Sequence, residues 1–153
     1  MIAVIHRFAR LCREADITLL YHNHDFEFAT VSGTYALDFL YEAVPANLLE
    51  TEIDTCWVKY SGLDPADYVK KYAGRCPIVH MKDYACDEPT APCQPLPASF
   101  RFRPVGMGSQ NVPAVVRAAV SSGAKWLVVE QDQPYVSPME DAKASLAAIR
   151  AAL

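Results

Sequence analysis

The sequence predicts an α/β fold, a partial parallel (β/α) barrel of about four β/α units. Three observations point there. Helix-like and strand-like segments alternate along all 153 residues, and strands separated by helices lie parallel, joined by right-handed crossovers. Short apolar runs end in metal-ligand types, at Ile53-Asp54, Ile78-Val79-His80 and Val128-Val129-Glu130, and Ile17 to Tyr21 runs into His22-Asn23-His24. Ligand types at the carboxyl ends of successive strands describe the top of a parallel barrel. The chain falls short of the ~250 residues of a complete eight-stranded barrel. The expectation is therefore one half-barrel domain over residues 1–153.

The elements follow in order. Ile2, Ile5, Phe8, Ala9 and Cys12 recur at helical spacing and predict an amphipathic helix over about residues 2–14. A strand is expected over 16–22, then a helix from Tyr35 to Val44 stopped by Pro45, then a strand from Asn47 to Asp54. Asp64-Pro65 is a capping side chain before a proline at the first helical position, and Gly74 closes that helix. Cys76 to Lys82 is the third strand. Asp83 to Pro104 carries five prolines and no periodicity, the mark of a lid or binding loop. A helix from Asn111 to Ser122, a strand from Lys125 to Glu130 and a final helix opened by the capping box Ser137-Pro138-Met139-Glu140 complete the chain. Four strands cannot close a barrel alone. The chain is expected to be the second half of a larger barrel, one of two copies forming a homodimer that completes it, or an open sheet whose edges invite pairing.

Composition excludes several classes. The formal charge is −4 with acidic and basic residues interspersed, so no basic stripe exists to bind duplex nucleic acid. The apolar runs are of strand length, far below the ~20 residues that cross a bilayer. Arg7, Arg10, Arg13 and Glu14 interrupt the N-terminal apolar pattern, which argues against a signal peptide and for a cytoplasmic protein. Five cysteines without a CxxC pair support neither a zinc knuckle nor a disulfide framework; Cys12 and Cys76 are expected as small hydrophobes.

The strand ends carry the chemistry. Glu50, Glu52 and Asp54 share one face at period two, and inward carboxylates are costly unless paired or bound to metal. His80 and Lys82 share a face, which suits a metal ligand beside a cation that steadies an oxyanion. Glu130 is placed to bind a cation through one oxygen and take a proton with the other. His22 and His24 alternate onto one face, able to present nitrogens to one metal or to divide metal and substrate between them; parity does not choose between them. The bland alternative for each is a solvated strand end. Gly106-Met107-Gly108-Ser109 lacks the Lys-Ser/Thr of a P-loop, although its amides, near the start of a helix, are candidates to hold a substrate hydroxyl or phosphate.

Taken in order, Tyr-His-Asn-His-Asp-Phe-Glu-Phe at 21–28, Glu-Ile-Asp-Thr-Cys-Trp-Val at 52–58, Gly-Leu-Asp-Pro at 62–65, Gly-Arg at 74–75, Val-His-Met-Lys-Asp at 79–83, Val-Gly-Met-Gly at 105–108 and Val-Val-Glu-Gln-Asp at 128–132 resemble the sugar phosphate isomerase/epimerase group. These are the xylose isomerase-like TIM barrels, which include ketose epimerases, inosose dehydratases and endonuclease IV. The resemblance covers the C-terminal half of such a barrel. It implies one divalent ion (Mn, Mg, Co, Zn or Fe) on Asp54, His80 and Glu130. His22 or His24 stands where the family usually has a glutamate, and Glu27 is a candidate for the missing carboxylate. Trp57 replaces a histidine common in relatives and would stack on a sugar face, with His24 as a second substrate contact. The implied activity is a metal-dependent isomerase or epimerase acting on a sugar or sugar phosphate: Glu130 abstracts the proton α to a carbonyl and Lys82 stabilises the enediolate. The alternatives are a dehydratase of keto-sugars or keto-inositols at the same site, with His24 or Glu27 as acid, and an inactive half-barrel or binding module. The trinuclear zinc cluster of endonuclease IV needs more histidines than the four present, and none lies in 83–104.

Overall fold

The computed structural model describes residues 2–153. Helix α1 (Ile2–Glu14) leads into strand β1 (Leu20–His22), a one-turn 3₁₀ helix at Phe26–Phe28 and a small hairpin of β2 (Thr30–Val31) and β3 (Thr34–Tyr35). Then come α2 (Ala36–Ala43), β4 (Glu50–Asp54), α3 (Thr55–Tyr60), α4 (Pro65–Lys71) and β5 (Ile78–Met81). The chain ends with β6 (Asp83–Ala85), β7 (Arg101–Arg103), α5 (Val112–Ser121), β8 (Trp126–Val129) and α6 (Pro138–Ala152). The caps read from sequence at Asp64 and Ser137 are in place, and Asn111 adds a third. The side chains of Asp64, Asn111 and Ser137 accept from the backbone N–H groups of Asp67, Ala114 and Glu140 at 3.0, 3.2 and 3.3 Å.

Four strands form one parallel sheet in the order β1-β4-β5-β8. This is the partial barrel expected from the sequence. Its outer face is sealed by the helices: Ile53 and Val79 are wholly buried among Leu37, Leu40, Val69, Val115 and Ala119. The inner face is open, and Trp126 on β8 is 66% exposed. The register sets the site. His22 lies opposite Glu52, and Asp54 lies opposite His80, so the ligand types of three strands stand within one two-residue step of each other. Arg75 locks this height from below, donating to the carbonyls of Tyr41, Val44 and Leu49 at 2.7, 2.7 and 3.0 Å.

Three features differ from the sequence expectation. The first strand is shorter than 16–22, and Asp16 turns the chain with φ 57°. Residues 83–104 are not structureless: β6 and β7 pair antiparallel, Asp83 opposite Arg103, and carry Tyr84 and Phe102, with Phe100 just before β7, into an aromatic cluster with Trp57 and Tyr60. Each of those strands has three residues, too few to give a period-two signal. Finally, α3 follows β4 without a loop because the Asp54 side chain caps it, accepting from the Cys56 N–H at 2.9 Å.

Candidate functional site

Five ligand-type side chains converge at the carboxyl ends of the strands: His22, Glu52, Asp54, His80 and Glu130. His22 Nε2 is 3.3 Å from Asp54 Oδ2 and 3.9 Å from Glu130 Oε2, and His22 Nδ1 is 3.7 Å from Glu52 Oε1. His80 Nδ1 meets Glu130 Oε2 at 2.5 Å, and its Nε2 contacts Glu52 Oε1. Ligand atoms of His22, Glu52 and His80 lie within 4.8 Å of one another, as do those of His22, Asp54 and Glu130.

Asp54 is wholly buried and held on every side but one. Its N–H donates to Asn23 Oδ1 at 2.9 Å, its carbonyl accepts from Asn23 Nδ2 at 3.3 Å, and Oδ1 caps α3. Asn23, also wholly buried, thereby ties the exit of β1 to the end of β4. Oδ2 has no hydrogen-bond partner, and neither does the buried His22 Nε2 beside it, since their approach lacks hydrogen-bond geometry. Buried polar atoms without hydrogen-bond partners are costly; Lys82 Nζ, 3.6 Å from Oδ2, offsets part of that cost, and a cation between the two atoms would take both. Imidazole nitrogens with carboxylates are the donor set of a borderline divalent ion.

Lys82 is buried, with Nζ at 2.9 Å from Asp132, 3.1 Å from Glu130 and 3.6 Å from Asp54. It also lies over the rings of Trp57 and Phe102, 5.3 and 5.1 Å from their centroids. Burial pulls its ammonium down, but the three carboxylates outweigh that and raise it above its ordinary value, so Lys82 is a fixed cation. For Glu130, burial pushes the carboxyl up, while His80 and Lys82 bring it down to about 2. In His22 the Asp54 carboxylate raises the imidazole against the pull of burial, with help from Glu130 and Glu52.

The remaining residues read from sequence lie outside this cluster or differ in setting. Glu27 is turned away from the strand tips: Tyr21 Oη donates to one oxygen at 2.7 Å and the His24 N–H to the other at 2.8 Å. It braces the loop after β1 and does not stand in for the missing carboxylate. His24 is exposed, its ring centroid 5.3 Å from that of His22 and 5.7 Å from that of Trp57. Trp57 is not the open platform expected of it, being 6% exposed and stacked on Phe100 within the aromatic cluster. The amides of 106–110 are engaged within the chain. Those of Gly106, Gly108, Ser109 and Gln110 donate to the buried Asp83 carboxylate at 2.9–3.1 Å.

A family model described as "Xylose isomerase-like TIM barrel" matches residues 1–152. The chain belongs to that family. An inosose dehydratase from Clostridium botulinum (strain Eklund 17B / Type B) is 26% identical over 146 residues, covering 89% of this chain and 48% of the relative. One from Geobacillus kaustophilus (strain HTA426) is 35% identical over 83 residues, 54% of this chain and 26% of the relative. A solved sugar phosphate isomerase/epimerase from Parabacteroides distasonis ATCC 8503 superposes with a TM-score of 0.74 at 21% identity, covering 95% of this chain and 49% of that one. At this identity the likeness shows the fold. This xylose isomerase-like chain spans about half the length of the relatives it matches, which accords with four strands in place of eight. Members of the family often use a divalent metal, and the clustered ligand types fit one. No helix among the described residues is long and apolar enough to cross a membrane.

Sequence reading missed three participants. Glu52 was legible as an inward carboxylate two residues before Asp54, but nothing local marked it as a neighbour of two histidines. Asp132 follows Glu130 by two and meets Lys82 only because the chain turns after β8. Asn23 had no signal, since its partner is the backbone of Asp54.

Proposed function

We propose that this chain forms a divalent-metal-dependent site that abstracts a proton α to the carbonyl of a keto-sugar or keto-inositol and expels a β-hydroxyl as water. The observation that carries it is the facing pair of buried, unpartnered atoms, His22 Nε2 and Asp54 Oδ2, beside His80 and Glu130. His22, Asp54, His80 and Glu130 would hold the ion. When bound, it polarises the substrate carbonyl and the neighbouring hydroxyl. Glu130 Oε1 takes the α-proton, and the C–H electron pair moves towards the carbonyl to give an enediolate. Lys82, 3.1 Å from that oxygen, presents its ammonium to the developing charge. His24, exposed and beside His22, protonates the departing hydroxyl as the carbonyl re-forms and a C=C bond replaces the C–OH bond.

Water loss is favoured over epimerisation by the donor set. Epimerisation at one carbon needs proton-transfer groups on both faces of the enediolate, and the carboxylate that would serve the second face is replaced by His22, with Glu27 engaged elsewhere. The relatives named inosose dehydratase support the same choice. The test is proton–deuterium exchange and product mass on keto-inositols with chelator-treated and Mn²⁺-reloaded protein. Metal-dependent exchange with loss of water is expected. Exchange that is unchanged without metal rejects the proposal, and exchange without water loss leaves the epimerase reading.

We also propose that two copies complete the barrel around two such sites. Both edge strands of the sheet are unpaired on one side, and a closed barrel of this type has eight strands.

A further inference from the structure

Each imidazole at the strand tips has two nitrogens, and the structure sorts them onto two sides. His22 Nε2 and His80 Nδ1 face Glu130 Oε2, at 3.9 and 2.5 Å, and His22 Nε2 also faces Asp54. The other nitrogen of each ring faces Glu52. His22 Nδ1 is 3.7 Å from Glu52 Oε1, and His80 Nε2 touches the same oxygen. The rings stand edge to face with centroids 4.4 Å apart, so one carboxylate oxygen reaches the far side of both.

We infer that Glu52 is a positioning residue for both histidines and is not itself a ligand. It accepts the Nδ1–H of His22 and the Nε2–H of His80, which leaves His22 Nε2 and His80 Nδ1 free to bind a divalent cation together with Asp54 and Glu130. This rests on the metal site proposed above. A neutral imidazole has one donor and one acceptor nitrogen. The hydrogen bond made by one nitrogen decides which of them carries the proton and which is left to bind metal.

Two clusters compete for the ion, His22, Glu52 and His80 in one and His22, Asp54 and Glu130 in the other; His80 Nδ1 adjoins the second through Glu130 Oε2, 2.5 Å away. The buried orphan atoms decide between them. His22 and Asp54, whose Nε2 and Oδ2 are the unpartnered atoms, belong together in the second cluster, and Asp54 is wholly buried, whereas the Glu52 side chain is 21% exposed and has both histidines as partners without an ion. An ion placed on Glu52 would leave the costly pair unrelieved. Glu52 also explains how two histidines on the strands either side of β4 each turn one nitrogen inward. A residue two places before Asp54 on the same strand face reaches behind both rings.

The test reads protons directly. In Zn²⁺-loaded protein with ¹⁵N-labelled histidine, long-range ¹H–¹⁵N correlation identifies the protonated nitrogen of each ring. Expected are Nδ1–H on His22 and Nε2–H on His80. Glu52→Ala lowers Zn²⁺ affinity ~10–100-fold and exposes both N–H protons to fast exchange, and Glu52→Gln, which keeps an acceptor oxygen, recovers most of the affinity. The opposite protonation, Nε2–H on His22 with Nδ1–H on His80, makes Glu52 a ligand and overturns the inference while the metal site stands. Unchanged affinity and exchange in Glu52→Ala overturns it equally. A wild-type chain that takes up no Zn²⁺ overturns the proposed function and this inference together.

Discussion

Lys82 sets its ammonium against Asp54, Glu130 and Asp132, and its side chain is 1% exposed. Removing one partner of a buried ion pair leaves uncompensated charge, which typically costs ~3–5 kcal/mol. Glu130 and Asp132 are 32% and 43% exposed, so solvent offsets part of that figure. Lys82→Met, which keeps the apolar stem against Trp57 and Phe102, is expected to lower stability by roughly 2–3 kcal/mol in chelator-treated protein, as urea unfolding would measure. Zn²⁺ should restore part of the loss, because it brings positive charge to two of the same carboxylates. A variant as stable as wild type without metal would mean that the three acids are already neutralised by solvent. Residue and environment are inseparable here: the same lysine on an open strand end would be unremarkable.

At the scale of elements, two buried carboxylates hold neighbouring segments in place. Asp38 on α2 accepts from Tyr68 Oη at 2.7 Å and Tyr72 Oη at 2.5 Å, and pairs with Lys71 Nζ at 2.6 Å, all three from α4 or its end. Burial raises the Asp38 carboxyl, but these donors outweigh it and hold it below its ordinary 3.8. The unfolded chain therefore binds this proton more readily than the folded one. The stabilisation is complete above the unfolded value and is lost as pH falls through the lower folded value. Wild type should lose urea stability below about pH 5; Asp38→Asn should flatten that decline and cost about 1–3 kcal/mol at neutral pH. A variant with the wild-type pH profile would place the effect on other acids. Asp83 does the same work for the loop before α5, and a Cβ on Gly108 would lie 2.3 Å from its Oδ1 and 2.5 Å from the Tyr84 carbonyl. Gly108→Ala should destabilise by ~1–3 kcal/mol, in the range for a disrupted buried hydrogen-bond network, with hydrogen exchange quickening at Ser109 and Gln110. What the sequence made legible follows from this division. The parallel strands, the helix caps and Asp54, His80, Lys82 and Glu130 were readable because strand-end parity and helix capping are local, whereas parity left His22 and His24 unseparated. The β6–β7 pair, the engagement of Glu27 and the turning of the 106–110 amides onto Asp83 depend on partners remote in sequence, and no periodicity encodes them.

For the whole molecule, the decisive fact is that a parallel sheet, normally covered on both faces, here has one face open. Trp126 and Val128 on β8 lie opposite Ile78 and His80, at 66% and 36% exposure. On the flanking helices, Val4, Phe8 and Leu11 of α1 and Met139 and Leu146 of α6 are also exposed, so apolar surface borders both open edges. A two-fold assembly would pair β1 of each copy with β8 of the other and bury both edges at once. All five ligand-type residues come from a single chain, so metal binding and assembly are separable. The expected mass by light scattering is that of two chains. Trp126→Lys, which places a charge on the inner face, should give single chains that bind Zn²⁺ with wild-type affinity but no longer turn over a keto-inositol, since half the substrate wall is gone. Wild-type protein with the mass of one chain and full turnover would show that four strands suffice, and that the open face is covered by substrate alone.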